Sequence, residues 1–180
     1  MNADELIFKI LEGKEKRALR QRELLKTYKN TLISFTLNIP GIYKVSDKYK
    51  LVFNEGINLI EKTLKSENIK VIYSEKIERE SGYEFFCLVD SPAKEIKKHM
   101  INIEYVSLLG RLFDIDVFDK NGELLSRANF NIGKRKCLVC EKDAVVCSRE
   151  RAHSIEEVIR AIDILIDKFV EENTNVWYFI

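Results

Sequence analysis

Lys70-Val71-Ile72-Tyr73-Ser74-Glu75-Lys76-Ile77-Glu78-Arg79-Glu80-Ser81-Gly82-Tyr83-Glu84-Phe85-Phe86-Cys87-Leu88-Val89-Asp90 is the stretch that decides the fold class. Two apolar strands, roughly 70–78 and 83–90, succeed one another around the polar turn Glu80-Ser81-Gly82. A connection this short makes a hairpin, which a doubly wound parallel sheet does not contain. Strands and helices interleave on either side of it. The class expected is therefore α+β, a mixed sheet flanked by helices.

Working outward, residues 31–39 alternate as a strand, with Ile33, Phe35, Leu37 and Ile39 on one face and Ser34, Thr36 and Asn38 on the other. Pro40-Gly41 ends it. A helix over about 47–65 carries the stripe Tyr49, Val52, Phe53, Ile57, Ile60 and Leu64. Ser91-Pro92 opens a helix that runs to about Tyr105. Residues 111–118 alternate again, and Asn121-Gly122 turns into a short strand at Glu123-Leu124-Leu125. Residues 3–28 read as helix, split in two at Gly13. An irregular segment rich in Arg, Lys and Cys, 127–151, precedes a last helix that opens with the capping box Ser154-Ile155-Glu156-Glu157. That helix carries Ile155, Val158, Ile159, Ile162, Leu165, Ile166 and Phe169 as its core stripe. The apolar tail Trp177-Tyr178-Phe179-Ile180 is expected to dock on the body or a partner.

The 180 residues hold 30 Lys plus Arg against 29 Asp plus Glu, a formal charge of +1. That balance excludes a nucleic-acid coat and a polybasic membrane binder. With 46% hydrophobic and 33% charged residues, and only 7 Gly and 2 Pro, one compact domain over residues 1–180 is expected. No apolar run reaches the ~20 residues of a membrane span. The acidic start Met1-Asn2-Ala3-Asp4-Glu5 lacks the signature of a signal peptide, so the cytoplasm is the expected compartment.

Chemistry concentrates in two stretches. In Gly110-Arg111-Leu112-Phe113-Asp114-Ile115-Asp116-Val117, the two aspartates leave one face of a strand, roughly 7 Å apart along the backbone. Such a pair can hold a divalent cation that also takes phosphate oxygens, with Arg111 offering a bidentate phosphate donor. The same spacing suits a hairpin strand whose polar face meets water, and spacing alone leaves both readings open. In the second stretch, Cys137, Cys140, Cys147 and His153 follow as Cys-x2-Cys-x6-Cys-x5-His, the ligand types of a Cys3His zinc site. Reduced buried cysteines or a redox-sensitive pair are the alternatives. From Arg127 to Arg151, seven Lys and Arg face three Asp and Glu, which suits either a solvated loop or a phosphate-facing lip. His99 reads as a surface residue and Cys87 as core.

Together these stretches resemble the apo-citrate lyase phosphoribosyl-dephospho-CoA transferases, also called holo-citrate lyase synthases. The matching pieces are Leu109 through Val117, Leu125-Ser126-Arg127, Arg135 through Glu141, Ala144 through Cys147, and His153. Upstream, Arg17, Arg20 and Gln21 fit the family's Arg-rich helix, and Ser34 through Gly41 and Phe53-Asn54-Glu55-Gly56 fit its next two segments. Two departures fall in loops. Where the family often has proline, this chain has Ser107-Leu108 and Asn131-Ile132-Gly133. Neither removes a charged residue.

The resemblance implies a nucleotidyltransferase-like fold and reaction. A phosphoribosyl-dephospho-CoA unit moves from 2'-(5''-triphosphoribosyl)-3'-dephospho-CoA onto a serine of the citrate lyase acyl carrier (gamma) subunit, releasing pyrophosphate. It further implies Mg2+ at Asp114 and Asp116, with Asp116 or Glu104 taking the serine's proton and Arg111 at the phosphates. Arg17, Arg20, Gln21, Ser34, Asn38, Gly110, Arg127, Arg135 and Arg149 would bind substrate, and zinc at the Cys/His set would be structural. Two rivals stand beside this reading: the same chemistry on the malonate decarboxylase carrier subunit, and a non-catalytic zinc-knuckle module docking an acidic carrier protein.

Overall fold

The computed structural model describes residues 3–130 and 132–174. The chain runs α1 (Ala3–Tyr28), β1 (Thr31–Leu37), α2 (Asp47–Ser66), β2 (Val71–Arg79), β3 (Gly82–Val89), α3 (Ala93–Val106), β4 (Phe113–Phe118), α4 (Ala144–Glu150) and α5 (Ile155–Thr174). The strands form one sheet in the order β2-β3-β1-β4. Every neighbouring pair is antiparallel, so the mixed sheet expected from interleaving is corrected. The α+β class stands.

Alternation along the strands sorts the two faces. Ile33, Phe35, Phe85, Cys87, Val89, Phe113, Ile115 and Val117 bury one face against α2, α3 and α5. Phe35 stacks on Phe53 of α2 at 5.2 Å between centroids and meets Phe113 edge-on at 5.4 Å. Burial of each large side chain of this kind contributes about 1.5–3 kcal/mol. On the other face, Leu32, Phe86 and Leu88 pack under Leu24 and Leu25 of α1. Tyr73, Ile77 and Phe118 pack beside them, and between these lies a polar patch of Ser34, Thr36, Glu84, Asp114 and Asp116 on the same face.

Gly13 does not split α1, which is continuous. A Cβ there would lie 2.2 Å from Ser81 Oγ, so the glycine lets the helix cross the β2–β3 turn closely. The strand expected at 123–125 is a single bridge between Phe118 and Leu124, because Asp119 Oδ1 accepts from the Asn121 and Glu123 N–H groups and closes a tight turn. The segment 127–151 is less irregular than expected, holding a 3-10 turn at Arg127–Phe130 and α4. The capping box of α5 is present, with Ser154 N–H donating to Glu157 Oε2 at 2.7 Å and Glu157 N–H to Ser154 Oγ at 3.1 Å. Ile155 of its expected stripe is exposed. The tail 177–180 lies outside the described residues.

Candidate functional site

The polar face of the sheet is organised by register. Thr36 of β1 pairs with Glu84 of β3 on one side and Asp114 of β4 on the other, and Ser34 pairs with Asp116. Asp114 and Asp116 therefore share a face, as their spacing predicts. Asp114 is half-exposed, with its Oδ1 3.7 Å from Arg135 Nη1. Burial, then the charge of Asp114, push the Asp116 carboxyl above its usual range, while Lys97, Arg17 and Arg135 pull it down. Two carboxylates held this way suit a cation that takes one or two protein oxygens and fills its remaining positions from phosphate and water.

The edge strand that carries them is fixed from outside. On α3, Lys97 Nζ donates to Ile115 O at 2.8 Å, and Ile115 N–H donates to Glu104 Oε1 at 3.2 Å. These two side chains satisfy edge groups that a further strand would otherwise pair. Glu104 also accepts from Arg127 and, at 2.6 Å, from Arg135. With every one of these partners in place, Glu104 is the hub that draws the 127–135 segment onto β4. Gly110 makes the approach feasible: a Cβ there would lie 2.3 Å from Glu104 O. Arg111 donates to Lys136 O and so ties the start of β4 to the cysteine-bearing segment.

Beside Asp114 lies a cavity of about 260 Å³, bounded by α1, the end of β1 and the β2–β3 turn. Lys14 and Arg17 of α1, Lys44 from the loop after β1, Asn38 and Glu84 line it. Lys14, Arg17 and Gln21 recur three and four residues apart, so one face of α1 presents all of them to the sheet. Gln21 Nε2 donates to Ser34 Oγ at 2.9 Å. Burial, then the charge of Lys14, hold the Lys44 ammonium below its usual range. Glu84 is buried 3.8 Å from Arg17 Nη1 and 3.7 Å from Arg79 Nε, and its Oε2 accepts no hydrogen bond among the described residues. Burial raises its carboxyl.

Asn38 also lines a second cavity, of about 610 Å³, with Pro40, Arg111, Arg135, Arg151 and Val158. Cys147 and His153 form part of its wall. The ligand atoms of Cys137, Cys140, Cys147 and His153 all lie within 4.8 Å of one another, a set that can hold a metal ion. Cys140 Sγ is 3.5 Å from Cys147 Sγ and 3.2 Å from His153 Nε2. Ligands of one tetrahedral zinc ion stand about 3.5–3.8 Å apart, as its bond lengths require. Val139 N–H donates to Cys137 Sγ at 3.4 Å, the support a thiolate ligand takes from the backbone.

The remaining expected residues fall elsewhere. Arg20 faces β2, donating to Glu75 at 2.6 Å, Glu23 at 2.8 Å and Tyr73 at 3.1 Å. Arg149 is exposed on α4 and lines neither cavity. Sequence reasoning missed Lys14, Lys44, Glu84 and Lys97. Glu84 had a signal, an acid inside an otherwise apolar strand. Lys97 had one too, seven residues before Glu104 on the core face of α3. Lys44 sits in a loop without periodicity and had none.

An antiparallel α+β sheet carrying paired carboxylates beside a cation-lined cavity has the equipment of a protein that handles phosphorylated substrates with a divalent metal. Comparison with known proteins makes the family definite. The sequence profile described as apo-citrate lyase phosphoribosyl-dephospho-CoA transferase matches residues 6–169. A probable apo-citrate lyase phosphoribosyl-dephospho-CoA transferase of Vibrio cholerae serotype O1 is 36% identical over 155 residues, covering 86% of this chain and 87% of the relative. A Streptococcus pyogenes serotype M3 protein of the same description is 37% identical over 170 residues, covering 92% and 88%. The chain belongs to the apo-citrate lyase phosphoribosyl-dephospho-CoA transferase family, a family of transferases. Among the described residues, no helix is long and apolar enough to cross a membrane.

Proposed function

We propose that the chain is a single transferase domain that moves the phosphoribosyl-dephospho-CoA group from its triphosphate precursor to a serine of the citrate lyase acyl carrier subunit. The observation that carries this reading is the cavity of Lys14, Arg17 and Lys44 opening beside Asp114. Three cations crowd there, with burial and then the Lys14 charge holding the Lys44 ammonium below its usual range, so a bound anion would offset their repulsion. A pyrophosphate group is of the size and charge this cavity takes.

The reaction is a nucleotidyl-type displacement. The serine oxygen forms a bond to the α-phosphorus of the 5''-triphosphate, the bond from that phosphorus to the bridging oxygen breaks, and pyrophosphate leaves with the electron pair. The serine proton passes to a base or solvent. Lys14, Arg17 and Lys44 hold the departing pyrophosphate and stabilise the charge it gains. Arg111, Arg135 and Arg151, around the 610 Å³ cavity, receive the phosphates of the dephospho-CoA body. Mg2+ bound at Asp114 and Asp116 would neutralise phosphate charge and polarise the phosphorus. Glu104 organises the site through Arg127 and Arg135. At the Cys/His set, zinc would be structural, because protein fills all four positions and leaves none open. It would fix Cys147 and His153 in the wall of the larger cavity.

Asp114→Asn and Asp116→Asn test the reading. Each is expected to lower transfer by about a hundred-fold or more while circular dichroism and melting stay near wild type. Wild-type rates in both variants would remove the carboxylate pair from the chemistry.

A further inference from the structure

At the far end of the carboxylate pair from the phosphate cavity, a groove of about 680 Å³ opens between the last turns of α1 and the turn after β4. Arg22, Lys26 and Lys29 line one wall and Lys120 the other, over a floor of Leu25 and Phe118. All four cations are exposed, and none forms an ion pair among the described residues. Most other basic side chains of α1 do pair: Lys9 with Glu80, Lys16 with Glu12, Arg17 with Glu84, and Arg20 with Glu75. Unpaired cations on two separate elements, converging on an apolar floor, form a surface complementary to acidic groups flanking an apolar side chain.

Its position gives the surface a role. Gln21 lines the groove and donates to Ser34, the residue opposite Asp116 in the sheet. Phe118 in the groove floor follows Asp116 on the same face of β4, so the groove lies on the Asp116 side of the pair, whereas the cavity of Lys14, Arg17 and Lys44 adjoins Asp114. Displacement at phosphorus requires the attacking and leaving oxygens on opposite sides. If the pyrophosphate leaves past Asp114, the attacking hydroxyl arrives past Asp116. We propose that this groove docks an acidic surface of the acceptor protein and aims its serine at the Asp116 end of the site. The proposal rests on the reaction assigned above. A nucleic acid fits less well, since the chain as a whole carries only +1 and the groove floor is apolar.

The test is the binding of fluorescein-labelled apo acyl carrier subunit of citrate lyase to the full chain, read by anisotropy at low salt. Lys26→Glu/Lys29→Glu is compared with wild type and with Lys62→Glu/Lys65→Glu on α2, a charge-matched change on another exposed face. Ten-fold or weaker binding by the α1 variant alone is expected, with wild-type affinity falling as salt rises. Equal binding by wild type and the α1 variant overturns the proposal, as does equal displacement of the carrier by a single-stranded oligonucleotide. Intact mass of the carrier in the same samples, with precursor added, separates the two readings. Carrier binding that depends on Lys26 and Lys29 but yields no transfer overturns the reaction and leaves the surface. Transfer with unchanged binding by the α1 variant overturns the surface and leaves the reaction.

Discussion

At the scale of single residues, two arginines one turn apart on α1 divide the labour. Arg17 lines the cavity that it shares with Lys14 and Lys44, while Arg20 holds Glu75 and Tyr73 of β2. Arg17→Ala is therefore expected to raise the precursor's KM by ten-fold or more, since a charge-assisted hydrogen bond is worth about 1.5–3 kcal/mol. Arg20→Ala should leave that KM alone and lower the melting temperature instead, and a reversed pattern would exchange their roles. Glu104 is expected to behave as a structural hub. Glu104→Ala strands Arg127, Arg135 and the Ile115 N–H together, so urea unfolding should show a loss of about 3–5 kcal/mol. Glu104→Gln keeps one acceptor and should lose less. Full stability with abolished turnover in the Gln variant would restore Glu104 to the chemistry. Spacing alone shows that Asp114 and Asp116 leave one face of a strand, whereas Arg17 enters only through the family resemblance, because nothing in the period of α1 separates it from the other basic residues there. Arg20, which the resemblance groups with Arg17, is held by Glu75 and Tyr73 of β2, partners that lie 55 and 53 residues away in sequence and that no local pattern reports.

At the scale of elements, periodicity was legible and pairing was not. The stripe of α2 is buried throughout, from Tyr49 to Leu64, as its 3.6-residue period requires. The sheet order β2-β3-β1-β4 follows from contacts between distant segments, on which no local pattern reports. Gly13 was ambiguous because glycine serves both as a helix breaker and as a point of close approach, and only the position of Ser81 decides. The cysteine-bearing segment was half legible. Its ligand spacing read correctly as a cluster, while α4 was hidden in a run too short for periodicity. Zinc removal gives this element its test. Cys87 is buried and its thiol pushed up to about 12, so it should resist thiol reagents in the folded chain. Protein purified without chelator is expected to carry about one equivalent of zinc. Few thiols should then react, and three should be released to the reagent when a chelator is added. Three reactive thiols without chelator, in protein free of zinc, would leave these residues as ordinary cysteines.

At the scale of the whole molecule, the polar face of the sheet is a single track. The basic groove at Lys26 and Lys29, the carboxylates of β4 and the cavity of Lys14, Arg17 and Lys44 follow one another along it, and Asn38 joins that cavity to the larger one beyond the ends of β1 and β4. The opposite face of β1, β3 and β4 is largely apolar and packs against α2, α3 and α5. This arrangement suits a reaction that brings a protein acceptor and a nucleotide donor together from opposite ends. The direct measurement is the intact mass of apo citrate lyase acyl carrier subunit incubated with this chain, Mg2+ and 2'-(5''-triphosphoribosyl)-3'-dephospho-CoA. The carrier is expected to gain one phosphoribosyl-dephospho-CoA group on its serine, with one pyrophosphate released per carrier and neither change with Asp114→Asn. A carrier of unchanged mass in the presence of natively folded chain, or equal modification by the Asp114→Asn variant, would contradict the account.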